Sequence, residues 1–265
     1  MKIKSRLFQL EPLKIAIAVI VIGIGGGLFT YILHELILFT TSHLKTFESF
    51  TLKTYFISLS IAFMSLFFTK KVFSDTSGSG IPFIKLSLVT KKGRLPKRMA
   101  LGKFVTSLLS LSSGLSFGKE GPLVTISAAW GYLVSHLLKL NPKVTKILVS
   151  SGATAGLSAA FNAPIAAVMF TLEEVLGELN TKYLGPIIVT SVLASVTSYK
   201  LLGDHSTFVS LNYNLKIQWH LIFYLFLGIL MSFVGYTYIK LTLTFKKIRK
   251  KYFDKFDYLF IFLVV

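Results

Sequence analysis

Three short stretches hold the residue types and spacings able to do chemistry. In Gly118-Lys119-Glu120-Gly121-Pro122, Pro122 suits the first turn of a helix, where its missing N–H leaves nothing unpaired. The N–H groups ahead of it, with the positive end of the helix dipole, then form an anion site. Glu120 puts a carboxylate into that site. Such a tethered group could occupy the site, leave when another anion arrives and carry a proton once displaced. The alternative is a solvated interfacial turn in which Lys119 and Glu120 pair.

Gly78-Ser79-Gly80-Ile81-Pro82 has the same form, a Gly-rich turn with Pro at the start of a short helix. The Ser79 hydroxyl can donate to an anion, and the glycines let backbone approach closely. Alone this is a common loop composition, but a second polar helix start of the same kind strengthens it. The third stretch, Phe161-Asn162-Ala163-Pro164, should break a helix in two, and Glu173 and Glu174 close the next piece. Carboxylates there either mark an interface or take protons from water and relay them inward.

Other features point to helix packing. Gly23-Ile24-Gly25-Gly26-Gly27 lacks the Lys-Ser/Thr of a phosphate loop, and Gly152, Gly156 and Ser158 lie among alanines, so both read as close-contact faces. His34-Glu35 reads as an interior polar contact. The five His show no ligand spacing and there is no Cys, so neither a metal nor a cofactor is expected. With no nucleophile–base–acid set, Walker motif or zinc signature, an enzyme is not expected either.

The elements that must position these stretches belong in a membrane. Of 265 residues, 53% are hydrophobic, 24 are Phe and only 15% are charged, with mean hydropathy +0.68. A soluble domain needs far more polar surface. The net charge of +18 would suggest nucleic acid in a soluble protein. Here the basic residues fall mostly between apolar runs, as in cytoplasmic loops. The first apolar run is too long for a cleaved signal and reads as a retained helix.

Apolar segments are expected at 15–39, 54–69, 81–90 (with Lys85 inside), 104–118, 123–138, 147–172 (broken at 162–164), 183–199, 217–239 and 258–265. Several are shorter than the roughly 20 residues of a full span and meet at Gly/Pro/Ser breaks. Irregular backbone at membrane depth is tolerated only where protein buries it or a cavity lines it. Broken helices of this kind point to substrate sites in transporters. The basic clusters at Lys2 to Lys14, Lys91 to Arg98 and Lys246 to Lys251 place the N-terminus in the cytoplasm. The 203–214 stretch, without Lys or Arg, belongs opposite. Lys246 to Lys251 could also bind anionic headgroups.

Taken together, the motifs at 78–82, 118–122 and 161–164, with Glu173-Glu174, resemble in residues, order and spacing the CLC family of chloride channels and chloride/proton antiporters. The resemblance covers essentially the whole chain. It implies an all-α integral membrane protein of tilted and re-entrant helices, built as two inverted-topology repeats and forming homodimers with a pore in each subunit. The first repeat would occupy 1–203, and 204–265 would be a linker and the first long helix of the second. On this resemblance Gly78, Ser79, Gly80, Ile81, Lys119, Glu120 and Gly121 surround chloride, and Glu120 is the gating glutamate. Glu174, with Glu173 beside it, is the internal proton-transfer site. A carboxylate at 174 resembles the antiporters more than the channels, and Ser79 the chloride-selective members.

The expected activity is therefore voltage-independent or weakly gated chloride transport by chloride/proton antiport, in the plasma or inner membrane of a prokaryote. A passive, Glu120-gated channel is the alternative within the family. A basic membrane-associated binding protein without transport is the alternative outside it. The expected partners are chloride, protons, lipid and a second copy, not nucleic acid. Because the chain ends soon after a second repeat would begin, it is expected to be a part that does not transport alone.

Overall fold

The computed structural model describes residues 2–44, 51–177, 181–203, 220–248 and 251, and within these it is helical with no strand. Among the described residues nine α-helices follow one another: α1 Lys2–Leu44, α2 Leu52–Phe67, α3 Ile81–Thr90, α4 Met99–Ser112, α5 Glu120–Leu137, α6 Pro142–Phe161, α7 Pro164–Phe170, α8 Thr181–Leu202 and α9 His220–Ile248. π-Helical turns extend α2 over Phe68–Val72 and α7 over Thr171–Leu176, and a 3-10 turn covers Ser74–Thr76. The expected segment at 258–265, the 204–214 stretch and Arg249-Lys250 lie outside the described residues. The chain divides into two compact units, Met1–Thr207 and Phe208–Val264.

Five helical stretches are long and apolar enough to cross a bilayer: Glu11–Leu44, Leu52–Val72, Pro142–Phe161, Leu184–Leu202 and Ile222–Ile248. The pieces Ile81–Thr90 and Met99–Ser112 are apolar but shorter. Local chemistry sets the boundaries. Thr51 and Thr54 form a reciprocal capping box at the start of α2, and the Asn141 side chain caps α6 ahead of Pro142. Asn162, in the left-handed region at φ 52°, ends α6, and Pro164 restarts the chain as α7. The expected break at 162–164 is therefore present.

Several boundaries differ from expectation, those of α1 and α4 among them. α1 runs well beyond 15–39 at both ends, with Pro12 inside it. α4 stops at Ser112, not near Gly118, because Ser113 and a left-handed Gly114 (φ 82°) turn the chain out of the helix. That leaves a non-helical strip over 113–118 leading into the Glu120 motif.

α6 is the central strut of the first unit: 78% of its span is buried, against 39% for α1 and 33% for α8. Small residues allow this. A Cβ at Gly152 would strike the Ser127 carbonyl of α5, and one at Gly156 the Leu123 carbonyl. Across the other face, Cβ atoms at Gly23, Gly26 and Gly27 of α1 would collide with Leu193, Ala155 and Thr197. Both glycine groups thus serve close helix contact. Side chains pin the same seams: Ser158 Oγ donates to Ser191 O (2.8 Å), Ser198 Oγ to Ala159 O (3.1 Å) and Thr154 Oγ1 to Thr171 Oγ1 (2.8 Å). His34 is half-buried and Glu35 exposed, so the two do not share one interior contact.

Gly152→Val drives a branched side chain into a backbone carbonyl that cannot move aside, so a loss of about 2 kcal/mol or more is expected. Gly185→Ala, where nothing lies within 4 Å of the new Cβ, should be neutral or slightly stabilising. Thermal unfolding of the two purified variants beside the parent checks this, and equal midpoints would refute it.

Candidate functional site

The Gly78–Gly80 turn is shaped by its glycines. Gly78 and Gly80 both take left-handed backbone (φ 75° and 88°), which only Gly adopts without strain. Gly80 caps α3, and Pro82 is the second residue of that helix. From the side, Lys103 of α4 reaches in. It is 5% exposed, and its Nζ donates to Thr76 O at 2.9 Å and to Gly78 O. Gly80 is buried, Ile81 half-buried, and Gly78 and Ser79 exposed.

Facing this turn is the start of α5. Glu120 is the first helical residue, Gly121 the second and Pro122 the third, and no side chain caps the end. Pro122 has no N–H, and the Leu123 N–H already reaches Lys119 O (3.1 Å). The uncommitted donors are those of Glu120 and Gly121. Glu120 is half-buried, and its carboxylate lies back over Gly118, in space that a Cβ at 118 would claim. Lys119 and Glu120 are both described and form no ion pair, so the paired interfacial turn is not what the chain builds.

The two motifs, 40 residues apart in sequence, meet. A Cβ on Gly121 would sit 2.9 Å from Ser79 O and 3.1 Å from Ser79 Cβ. Thr125, fully buried one turn further along α5, donates within reach of both Ser79 O (3.2 Å) and Gly121 O (2.9 Å). It also fills the space where Gly80 would carry a side chain. Two helix N-termini, α3 and α5, therefore converge on one strip of backbone that presents the Ser79 hydroxyl and the Glu120 carboxylate.

Glu173 and Glu174 are elsewhere. Both are exposed on the π-turn after α7, and Glu174 Oε2 lies 3.3 Å from Lys85 Nζ. Lys85 sits on the same short helix that starts at Ile81, so α3 alone links the Ser79 end to the Glu174 end. Five residues of helix cover roughly 7.5 Å along its axis. No group of three His, Cys, Asp or Glu able to hold a metal occurs among the described residues.

Lys103, Thr125 and Lys85 were not assigned a role from sequence. Lys103 just precedes an apolar run at 104 and looks like its solvated edge. Thr125 was legible only as the residue four places after Gly121, one helical turn away. A lone lysine inside an apolar ten-residue piece was the signal for Lys85.

Comparison with known proteins bears on the family and the fold. The family described as voltage gated chloride channel matches residues 61–265. The H(+)/Cl(-) exchange transporter ClcA of Vibrio campbellii is 30% identical over 188 residues, covering 70% of this chain and 40% of its own length. The H(+)/Cl(-) exchange transporter 5 of Sus scrofa is 32% identical over 206 residues, covering 73% of this chain and 25% of its own. The chain thus spans well under half the length of these relatives. Among solved structures, a slow cyanobacterial Cl-/H+ antiporter superposes with TM-score 0.80 at 25% identity, over 94% of this chain and 61% of that one. A CLC-type fluoride/proton antiporter gives 0.78 at 25% identity, over 92% and 61%. A family match across most of the chain, on a helical fold shared with CLC antiporters, shows that this protein belongs to the voltage gated chloride channel (CLC) family.

Proposed function

We propose that this chain forms one half of the ion pathway of a chloride/proton antiporter, in which Glu120 alternates between the anion and the proton route. The observation that carries the reading is the seating of the α5 start on the Ser79 turn. Open N–H donors, a hydroxyl and a tethered carboxylate share one place there. Chloride would be held by the Ser79 hydroxyl and the N–H groups near Gly80, Ile81 and Gly121, with Gly78 and Lys119 on its approach. The buried Lys103 ammonium behind Gly78 adds a positive charge where hydrocarbon and protein screen little. When chloride arrives, the Glu120 carboxylate swings out, is protonated and returns neutral.

Glu174, with Glu173 next to it, would exchange protons with the aqueous phase beside Lys85, midway along α3. A carboxylate at that place favours exchange over passive conduction. Residues 1–203 would be the first inverted repeat and 204–265 the start of a second, which supplies the remaining chloride contacts. The N-terminus would be cytoplasmic, the membrane that of a prokaryote, and the working unit a homodimer.

Ion fluxes of the whole transporter in liposomes, and chloride binding to it, test this. Glu120→Gln should keep chloride flux while removing chloride-driven proton flux; unchanged coupling would end the gating assignment. Glu174→Gln should lower proton flux on the order of a hundredfold, the scale of a lost acid/base group, with chloride flux retained. Chloride moving without protons in the parent would instead identify a channel. Ser79→Ala should weaken chloride binding by about tenfold or more, since a hydrogen bond to a charged partner is worth ~1.5–3 kcal/mol. Calorimetric titration with chloride reads that loss, and an unaltered isotherm would remove Ser79 from the site.

A further inference from the structure

At the opposite ends of α3 and α5 from the candidate site, the chain builds a second feature that the transport reading does not use. A cavity of about 300 Å³ opens between the turn after α3 and the junction of α5 with α6. It is lined by Lys92, Arg94, Tyr132, His136, Lys139 and Thr145, among others, and no Asp or Glu lines it. The basic groups come from two segments more than 40 residues apart in sequence. Gly93 seats one against the other, since a Cβ there would lie 3.3 Å from the Cα of Lys146 on α6. The carboxylate beside this junction, Glu11 of α1, accepts a hydrogen bond from Asn141 Nδ2 (3.4 Å).

The lysines sit at unusual backbone. Lys92 (φ 54°) and Lys139 (φ 53°) are two of the three non-glycine residues with left-handed backbone among the described residues. Each follows a helix C-terminus, where Gly is the usual residue. The last carbonyls of α5 are taken by backbone, Lys139 N–H to His136 O and Leu140 N–H to Ser135 O (both 3.1 Å). Neither lysine side chain caps them. The side chains of Lys92, Arg94 and Lys139 have no anionic partner among the described residues.

The rim is apolar. Leu137, between His136 and Lys139, is 73% exposed, and so is Val89 in the last turn of α3. A free phosphate has no use for such neighbours, whereas a lipid brings acyl chain and phosphate together. We propose that this cavity binds the phosphate headgroup of an anionic lipid, with Lys92, Arg94 and Lys139 on its oxygens and the acyl chain along Leu137 and Val89. Basic pockets between membrane helices at the cytoplasmic side are suited to such headgroups, and the basic 91–98 loop puts this one there by the positive-inside bias.

The test is lipid binding by the full chain in mild detergent, titrated with phosphatidylglycerol and, separately, phosphatidylcholine, with bound lipid counted by native mass spectrometry. The unmodified chain should hold phosphatidylglycerol in preference. Lys92→Gln/Arg94→Gln/Lys139→Gln should lower that affinity on the order of a hundredfold, about fivefold for each charge removed near the headgroup. Lys53→Gln/Lys200→Gln, on α2 and α8 and away from the cavity lining, should leave it nearly unchanged. All three cavity residues are exposed, and Arg94→Gln alone, expected to lose about fivefold, serves if the triple variant fails to fold. Equal binding of the two lipids, or equal loss in both sets of variants, would overturn the proposal by showing general surface charge. So would inorganic phosphate displacing phosphatidylglycerol as well as glycerophosphoglycerol does while phosphatidylglycerol vesicles fail to retain the chain.

Discussion

Backbone that leaves the helical state inside an apolar protein must find every partner within that protein, and the first unit is organised around meeting that demand at two places. The turn over 73–80 and the strip over 113–119 both interrupt apolar helices. Lys103 takes up carbonyls of the first, and Thr125 bridges the first to the start of α5. The carbonyls are thereby committed to the protein, while the N–H ends of α3 and α5 stay open. An end that gathers N–H donors and dipole charge favours an anion, so satisfying the backbone on one side leaves donors free on the other.

That arrangement depends on helices approaching more closely than ordinary side chains permit. Gly121 lets α5 rest on Ser79, and Gly152 and Gly156 let α6 rest on the carbonyls of α5. Without a hydrophobic drive between helices in lipid, such contact and the serine and threonine hydrogen bonds across the seams hold the bundle. Because α6 is buried along most of its length, it fixes α5 from behind. The Glu120 end of α5 is therefore placed by residues that never approach the site.

Much of this was legible in the chain itself. Pro82, Pro142 and Pro164 mark helix starts within two residues, and Asn162 marks a helix end, since Pro and left-handed backbone act locally. Apolar length told membrane helices from loops for the same reason. The end of α4 was misplaced because residues 113–118 remain partly apolar while Ser113 and Gly114 change the backbone, and hydropathy does not register a dihedral angle. Lys103 looked like a helix edge because its carbonyl partners are 25 and 27 residues away. No local pattern announces such a pair.

The sequence by itself determined which pieces of chain are helical, where glycine and proline interrupt them and which few acids sit among apolar neighbours, because those properties depend on a residue and its nearest turn. Only the tertiary structure decided that the Ser79 turn and the Glu120 helix start share one strip of backbone, that Thr125 and Lys103 hold it, and that Glu174 stands with Lys85 beside the middle of α3. These are contacts between residues 25 to 89 positions apart, closed by helices whose approach depends on missing side chains. A linear reading shows that a glycine is present, but not which backbone comes to lie against it.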